Sequence, residues 1–215
     1  MDVIFDSSTD WLALESSKCQ NCKGNTFDES KSSTARLADS QVTERRYNSI
    51  VVEGQELTDR ICLASGSSSC INSFKFYLIN YSQTTIVLPI DGFLGLGRVE
   101  PFETGSLAQI NYKRGPSFVH ALQNAGLISE TQFSFYLSQD PDKRFIHFGT
   151  PQTSSMKSSK TLSYIKMFDD LFWASGCQGF AFGPLLNDYS VPDLGENFVK
   201  NGQMYSIFDS GSATI

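Results

Sequence analysis

Short apolar runs separated by polar turns occupy most of the chain. Residues 3–5 form such a run and end at Asp6, while residues 134–138 and 144–149 are rich in aromatic and apolar side chains and are bounded by Ser, Arg or Gly. Runs of this length and composition are typical of β-strands. The pattern therefore predicts a mostly β protein.

One segment has helical spacing instead. Within residues 116–126, four apolar residues fall on one face, and Gly126 follows them at a position where glycine commonly ends a helix. The four apolar positions are Phe118, Ala121, Leu122 and Ala125. We expect a core-facing helix here.

The chain changes character after residue 152. The stretch from Thr153 to Lys160 is polar and rich in Ser and Lys, which makes it the best candidate for a linker. It divides the chain into two candidate domains, residues 1–152 and residues 161–215.

The composition narrows the class of protein. With 215 residues, of which 40% are hydrophobic and 19% charged, the chain can bury a core. Its net charge of −6 offers no attractive field to phosphate backbones, so we expect no nucleic-acid partner. No apolar run approaches the ~20 residues of a transmembrane helix, so we expect no membrane span. The two histidines, His120 and His147, lie far from any Cys or Asp cluster, so we expect no metal.

The five cysteines form two close pairs and one remainder. Cys19 and Cys22 make a C-x-x-C motif, Cys62 and Cys70 flank a Gly/Ser-rich segment, and Cys177 is left over. A C-x-x-C motif is also compatible with a redox site or half of a zinc site. The spacing favours two structural disulfides, Cys19–Cys22 and Cys62–Cys70, and therefore an oxidising compartment.

A four-residue segment occurs twice, at widely separated places. Residues 4–7 and 207–210 both read Ile-Phe-Asp-Ser, and in both copies an apolar strand leads into an acidic residue and a turn. A repeat at this spacing suggests two homologous halves.

The two copies resemble the catalytic loops of the pepsin-like aspartic proteases, in which each lobe supplies one aspartate from an apolar-apolar-Asp-[Thr/Ser]-Gly loop. Residues 207–212 fit this loop fully, and residues 4–9 fit it except at Ser8, where the family has glycine. Other family landmarks follow in order along essentially the whole chain. They are Cys19, Phe27-Asp28 to Ser33-Thr34, Tyr47 twelve residues before Asp59, Asp91 to Gly97, Phe133 to Leu137, and Phe148-Gly149.

The resemblance implies a mostly β, bilobal fold of the pepsin type. Residues 1–152 would form most of an N-terminal lobe, and residues 161–215 would form only the beginning of the C-terminal lobe. Because so little of the second lobe is present, we expect the segment that carries Asp209 to be loosely held.

The resemblance also implies an aspartic endopeptidase that needs neither a metal nor an organic cofactor. Asp6 and Asp209 would activate one water between them, because two nearby carboxyl groups share a proton. Ser7 and Ser210 would brace the two loops, Tyr47 would lie on a flap over the substrate, and Gly211 would line the substrate site. The implied partner is a peptide or protein substrate of a monomer, secreted or in an acidic lysosome- or vacuole-like compartment.

Three departures from the family pattern keep other functions open. Ser8 replaces a glycine, residues 48–51 lack the glycines usual after the flap tyrosine, and Ala13 stands where the family has a tryptophan, with Trp11 two residues earlier. One alternative is a pepsin-fold protein that grips peptides without hydrolysing them. Another is a truncated, non-functional gene product.

Overall fold

A computed structural model describes residues 1–47, 50–63, 68–83, 90–98, 114–156, 160–167, 172–177, 199–200 and 203–212. Strands dominate these residues, which confirms the mostly β prediction. The strands are β1 (Val3–Asp6), β2 (Leu12–Gln20), β3 (Arg36–Tyr47), β4 (Ile50–Cys62), β5 (Cys70–Ser82), β6 (Gly92–Gly95), β7 (Phe133–Tyr136), β8 (Phe145–Phe148), β9 (Ala174–Cys177), β10 (Val199–Lys200) and β11 (Gln203–Ile207). The helix is α1 (Phe118–Asn124), and short 3-10 turns cover Glu29–Lys31, Pro141–Lys143 and Thr153–Ser155.

The largest sheet has six strands in the order β1-β6-β2-β5-β4-β3. β1 lies parallel to β6, with Asp6 opposite Gly95, and β2 lies antiparallel to β6. β3, β4 and β5 form two successive antiparallel hairpins, which leave β3 at the edge. The sheet therefore carries the end of β1, where Asp6 lies, at one of its two edges.

The central strands of this sheet are buried on both faces. Because side chains alternate between faces along a strand, neighbouring residues belong to different apolar clusters. One cluster includes Leu12, Leu14, Phe76, Leu78 and Leu94. The other contains Trp11, Ala13, Val52, Tyr77, Ile79 and Phe93.

The helix predicted within residues 116–126 is present as α1. Ser117 caps it by accepting a hydrogen bond from the His120 N–H, and Gly126 follows its end with φ of +71°. Phe118 packs its ring against Phe74, with 5.4 Å between the ring centroids. The helix thus closes the first apolar cluster.

Both predicted disulfides are present. Cys19–Cys22 lies at the end of β2, and Cys62–Cys70 closes the turn between β4 and β5, where the two cysteines are opposite each other in register. Because the disulfide leaves neither Cys19 nor Cys22 as a thiolate, the pairing argues against the zinc interpretation of the C-x-x-C motif.

The two candidate domains are in contact. Trp173 donates from its indole Nε1 to the Leu96 carbonyl at 2.8 Å and packs against Phe133 with 5.5 Å between the ring centroids. Within the predicted linker, Thr153–Ser155 forms a 3-10 turn, and residues 157–159 lie outside the described residues. The division at this point stays a prediction.

Candidate active site

The first loop places Asp6 at the buried end of β1. Asp6 is only 7% exposed, and its backbone carbonyl accepts a hydrogen bond from the Leu96 N–H at 2.7 Å. Its carboxylate Oδ1 accepts from both the backbone N–H of Ser8, at 2.8 Å, and the Ser8 hydroxyl, at 2.7 Å. The loop therefore holds the Asp6 side chain with two donors from a single residue.

The second loop repeats part of this geometry. β11 ends at Ile207, and the Asp209 carboxylate Oδ1 accepts a hydrogen bond from the Gly211 N–H at 2.9 Å. In both loops the aspartate thus binds the N–H two residues further on, which is the geometry of a short Asx turn. Asp209 differs from Asp6 in being exposed.

Ser7 and Ser210 join the two loops reciprocally. The Ser7 N–H donates to the Ser210 Oγ at 3.0 Å, and the Ser210 N–H donates to the Ser7 Oγ at 2.9 Å. The Ser7 hydroxyl donates to the Phe208 carbonyl at 2.8 Å, and the Ser210 hydroxyl donates to the Phe5 carbonyl at 2.6 Å. Each hydroxyl thus donates once and accepts once, so the two loops are related by an approximate two-fold axis.

This pairing differs from the expectation for the segment around Asp209. The sequence predicted a loosely held segment, because residues 161–215 bury little surface of their own. The structure instead docks Phe208 to Gly211 on the end of β1 through four hydrogen bonds. A hydrogen bond contributes about 1 kcal/mol net, so the four together are a substantial fraction of a small domain's stability.

Gly211 lies directly against the carboxyl group of Asp6, with no room for a side chain. Ser8 occupies the corresponding position of the first loop and has a side chain, whose hydroxyl turns back to Asp6 in its own loop. The glycine-to-serine departure is therefore accommodated locally, and it makes the two loops chemically unequal.

The predicted flap corresponds to the hairpin of β3 and β4. Tyr47 ends β3 and pairs in register with Ile50, the first residue of β4. The Tyr47 side chain and residues 48–49 lie outside the described residues, so its substrate role stays a prediction. Val52, further along β4, is fully buried in the second apolar cluster.

Asp59 has a structural role that the sequence did not assign. It is buried in β4 and accepts hydrogen bonds from the hydroxyls of Ser32, at 3.0 Å, and Thr34. These contacts fasten the turn before β3 to the sheet. The spacing between Tyr47 and Asp59 had marked this residue only as a family landmark.

Sequence analysis also missed a buried acidic pair, Glu15 and Asp91. Asp91 accepts hydrogen bonds from the Asp2 and Asn25 N–H groups. Burial acts to raise the pKa of Asp91, but these hydrogen bonds outweigh it and hold the pKa below its usual range. Burial raises the pKa of Glu15, the nearby Asp91 charge adds to the rise, and a hydrogen bond from the Gly24 N–H opposes it.

Within the described ranges, no three His, Cys, Asp or Glu side chains are grouped so that they could hold a metal ion. Among the same residues, no helix has the length and hydropathy required to cross a bilayer.

Comparisons with known proteins identify the relatives of this chain. The family model described as eukaryotic aspartyl protease matches residues 1–215. An aspartic proteinase of Oryza sativa subsp. japonica is 28% identical over 145 residues, which are 65% of this chain and 27% of that protein. Plasmepsin VI of Plasmodium berghei (strain Anka) is 22% identical over 235 aligned residues, which cover 99% of this chain and 47% of that protein. The chain therefore spans less than half the length of either relative.

Proposed function

Since this chain belongs to the eukaryotic aspartyl protease family, a family of proteolytic enzymes, we propose that it acts as an aspartic endopeptidase through Asp6 and Asp209. The observation that carries this proposal is the reciprocal bonding of Ser7 and Ser210. It brings together two loops that each end a strand in Asp-Ser, although they are 203 residues apart in the chain.

The mechanism follows from the chemistry of two neighbouring carboxyl groups. Two such groups cannot both ionise readily, so they share one proton. The ionised carboxylate takes a proton from a water held between them, and the protonated carboxyl polarises the scissile carbonyl. The water oxygen adds to that carbonyl, and the tetrahedral intermediate then breaks its C–N bond as the carboxyl pair gives a proton to the amide nitrogen, which releases the amine and restores the pair, with no metal or organic cofactor taking part.

The surrounding residues would support this step. Ser7 and Ser210 keep the loops in register, since each hydroxyl is fixed by one donated and one accepted bond. Gly211 has no side chain, which lets the second loop approach the Asp6 carboxyl group closely. Tyr47, at the tip of the β3–β4 hairpin, would close over the substrate and exclude water.

The substrate and setting are part of the proposal. We infer peptide or protein substrates cleaved between large apolar side chains, and a monomeric enzyme. The two disulfides favour an oxidising environment, which fits secretion or an acidic lysosome- or vacuole-like compartment.

A second candidate function is peptide binding without hydrolysis. It is favoured by Ser8, whose side chain has no counterpart in the second loop and whose hydroxyl adds a second donor to the Asp6 Oδ1. This side chain also fills the position where the family has glycine, next to the carboxylate that would act on the water.

A single set of assays separates the two functions. The oxidised 215-residue chain is incubated in acid with peptides that have apolar residues at the cleaved bond, and products are followed by mass spectrometry. Binding of a peptide inhibitor with a secondary alcohol in place of the scissile carbonyl is measured in parallel by calorimetry. Cleavage that is lost in both Asp6→Asn and Asp209→Asn supports the proposal, with the exposed Asp142→Asn as the matched control.

Binding without cleavage would support the second function. Cleavage that persists in Asp6→Asn would contradict the proposed catalytic pair. If the wild-type chain neither binds nor cleaves, both proposals fail for this chain.

A further inference from the structure

Trp11 is hydrogen-bonded to β6, the strand that pairs with β1, which carries Asp6. It lies five residues after Asp6, and its indole is 1% exposed. Its backbone carbonyl accepts a hydrogen bond at 2.9 Å from the N–H of Gly95, the residue opposite Asp6 in the β1–β6 register. A group that binds the Trp11 ring is therefore positioned relative to Asp6.

Arg45, near the tip of the β3–β4 hairpin, is that group. Its guanidinium Cζ lies 4.3 Å from the centroid of the Trp11 ring and 4.9 Å from the centroid of the Tyr77 ring. Arg45 is only 7% exposed, so both contacts are desolvated, which is the condition under which cation–π interactions are strongest.

The charges around Arg45 explain why the rings matter. Its Nη2 lies 3.3 Å from the Glu56 Oε1, and the Nζ of Lys75 lies 3.5 Å from the Glu56 Oε2. One buried carboxylate thus faces two cations. The Lys75 side chain is 41% exposed, whereas Arg45 is buried and has the faces of two rings beside its guanidinium in addition to Glu56.

The pairing of β3 with β4 is interrupted between Asp39 and Thr43, just before Arg45. Asp39 is opposite Glu56 but Thr43 is opposite Gly54, so β3 advances four residues where β4 advances two. Such bulges bend the strand and break the ladder locally. Beyond the bulge, edge strand β3 leads directly to Tyr47.

Tyr77 supplies a second attachment to the same part of β3. Its hydroxyl donates a hydrogen bond to the Thr43 carbonyl, while its ring contacts Arg45. Nearby, Gly54 of β4 passes so close to β5 that a Cβ atom there would lie 2.0 Å from the Leu78 carbonyl oxygen. The outer half of the hairpin therefore packs tightly on β5 at Gly54 and contacts Tyr77 through the Thr43 carbonyl and both Trp11 and Tyr77 through Arg45.

We propose that Arg45 is a positioning residue that fixes the outer β3–β4 hairpin relative to the Asp6 loop by bridging Trp11 and Tyr77. The effect on substrate rests on the proposed peptidase function, but the anchoring itself does not. Ala13, on the same face of the sheet, fills the position where the resemblance expects a tryptophan. Trp11, two residues earlier in the chain, contacts the Arg45 guanidinium with its ring.

The anchoring is tested by hydrogen exchange on the whole oxidised chain. In Arg45→Met, amides of residues 43–47 and 50–54 should exchange at least about tenfold faster, while amides of β1 and β6 keep their rates. Arg45→Lys keeps the charge and should show a smaller increase. Lys75→Met removes the other cation on Glu56 and should leave the hairpin rates within about twofold of wild type.

Two outcomes would overturn the proposal. One is a uniform increase across the sheet in Arg45→Met, which indicates general destabilisation. The other is an equal effect on the hairpin in Lys75→Met. If Arg45→Met does not fold because Glu56 loses its buried partner, Arg45→Met/Glu56→Gln removes both charges and is subject to the same expectation.

Inhibitor binding and cleavage kinetics test whether the Arg45 contacts also affect function. Arg45→Met should weaken binding of the secondary-alcohol peptide inhibitor about tenfold and raise KM more than it lowers kcat, because in the proposed function the hairpin contacts the ligand and not the reacting water. If no cleavage occurs in any variant, the proposed function fails while the exchange result still decides the anchor. If cleavage occurs but hairpin exchange is unchanged, the anchor alone fails.

Discussion

Gly211 lies so close to Asp6 that a Cβ atom added to Gly211 would be 2.5 Å from the Asp6 Cγ and 2.8 Å from each carboxylate oxygen. Separations below about 3 Å are essentially never found for real Cβ atoms, so a side chain here would require the Asp6 carboxyl group or the second loop to shift. In the other loop the corresponding residue is Ser8. The approximate two-fold axis therefore relates a position that excludes a side chain to one that carries a side chain.

This relationship predicts that Gly211→Ala abolishes peptide cleavage. The added methyl group must displace either the Asp6 carboxyl or the whole second loop, and a shift of about 1 Å is enough to lower activity by two orders of magnitude. Cleavage rate and urea unfolding should be measured together. The control is Gly126→Ala, which meets no atom within 4 Å but has φ of +71°, and should cost only about 1 kcal/mol of stability while leaving cleavage intact. Full activity in Gly211→Ala would contradict the placement of Gly211 against Asp6.

Ser8→Gly should raise the cleavage rate or leave it unchanged. The N–H of residue 8 can still donate to the Asp6 Oδ1, while the second donor and the extra side chain are removed. Ser8→Ala removes the hydroxyl but keeps the Cβ atom, so a comparison of kcat between the two variants separates hydrogen bonding from crowding. A fall of about tenfold or more in Ser8→Gly would mean that the hydroxyl is needed for activity.

Ser7→Ala and Ser210→Ala should each lower the free energy of unfolding by about 1–3 kcal/mol, because each removes the partner of two backbone groups of the opposite loop, one N–H and one C=O. The double variant should lose less than the sum of the single variants, since both remove bonds of one network. Urea unfolding measures all three, with the exposed Ser33→Ala as control. Strict additivity would show that the two serines do not act together.

The stability of the chain should depend on pH through Glu15. Burial raises the pKa of this carboxyl, so the folded state favours its protonated form. Its contribution to the free energy of unfolding is then fully present below the pKa of the unfolded chain and is lost as pH rises through the raised pKa of the folded chain. Glu15→Gln is neutral at every pH and should reduce this loss, measured as urea unfolding across the acid-to-neutral range.

The control for this measurement is Glu130→Gln, an exposed glutamate whose replacement should leave the pH dependence unchanged. An identical pH dependence in wild type and Glu15→Gln would contradict the role of Glu15.

The sequence by itself determined the local features of this protein. Apolar runs and periodicity were sufficient for β1, β7, β8, β11 and α1, because a helix and a strand alternate with different periods over a few residues, whereas the long strands β2 to β5 were not predicted. Cysteine spacing was sufficient for both disulfides, since the bonded pairs are three and eight residues apart. The repeated Ile-Phe-Asp-Ser segment pointed to the two loops for the same reason: each loop is a continuous stretch of chain.

Only the tertiary structure decided how distant segments meet. The small size of the second lobe predicted a loosely held segment around Asp209, but bonds of the Ser7 and Ser210 hydroxyls to backbone groups of the opposite loop dock it on β1. The displaced Trp11 was visible in the sequence, yet its contact with Arg45 depends on the β3–β4 bulge and on Tyr77 in a third strand. Contacts between residues that are tens to hundreds of positions apart in the chain produce the register shifts, the buried charge pairs and the fit of Gly211 against Asp6. Local sequence patterns do not predict such contacts.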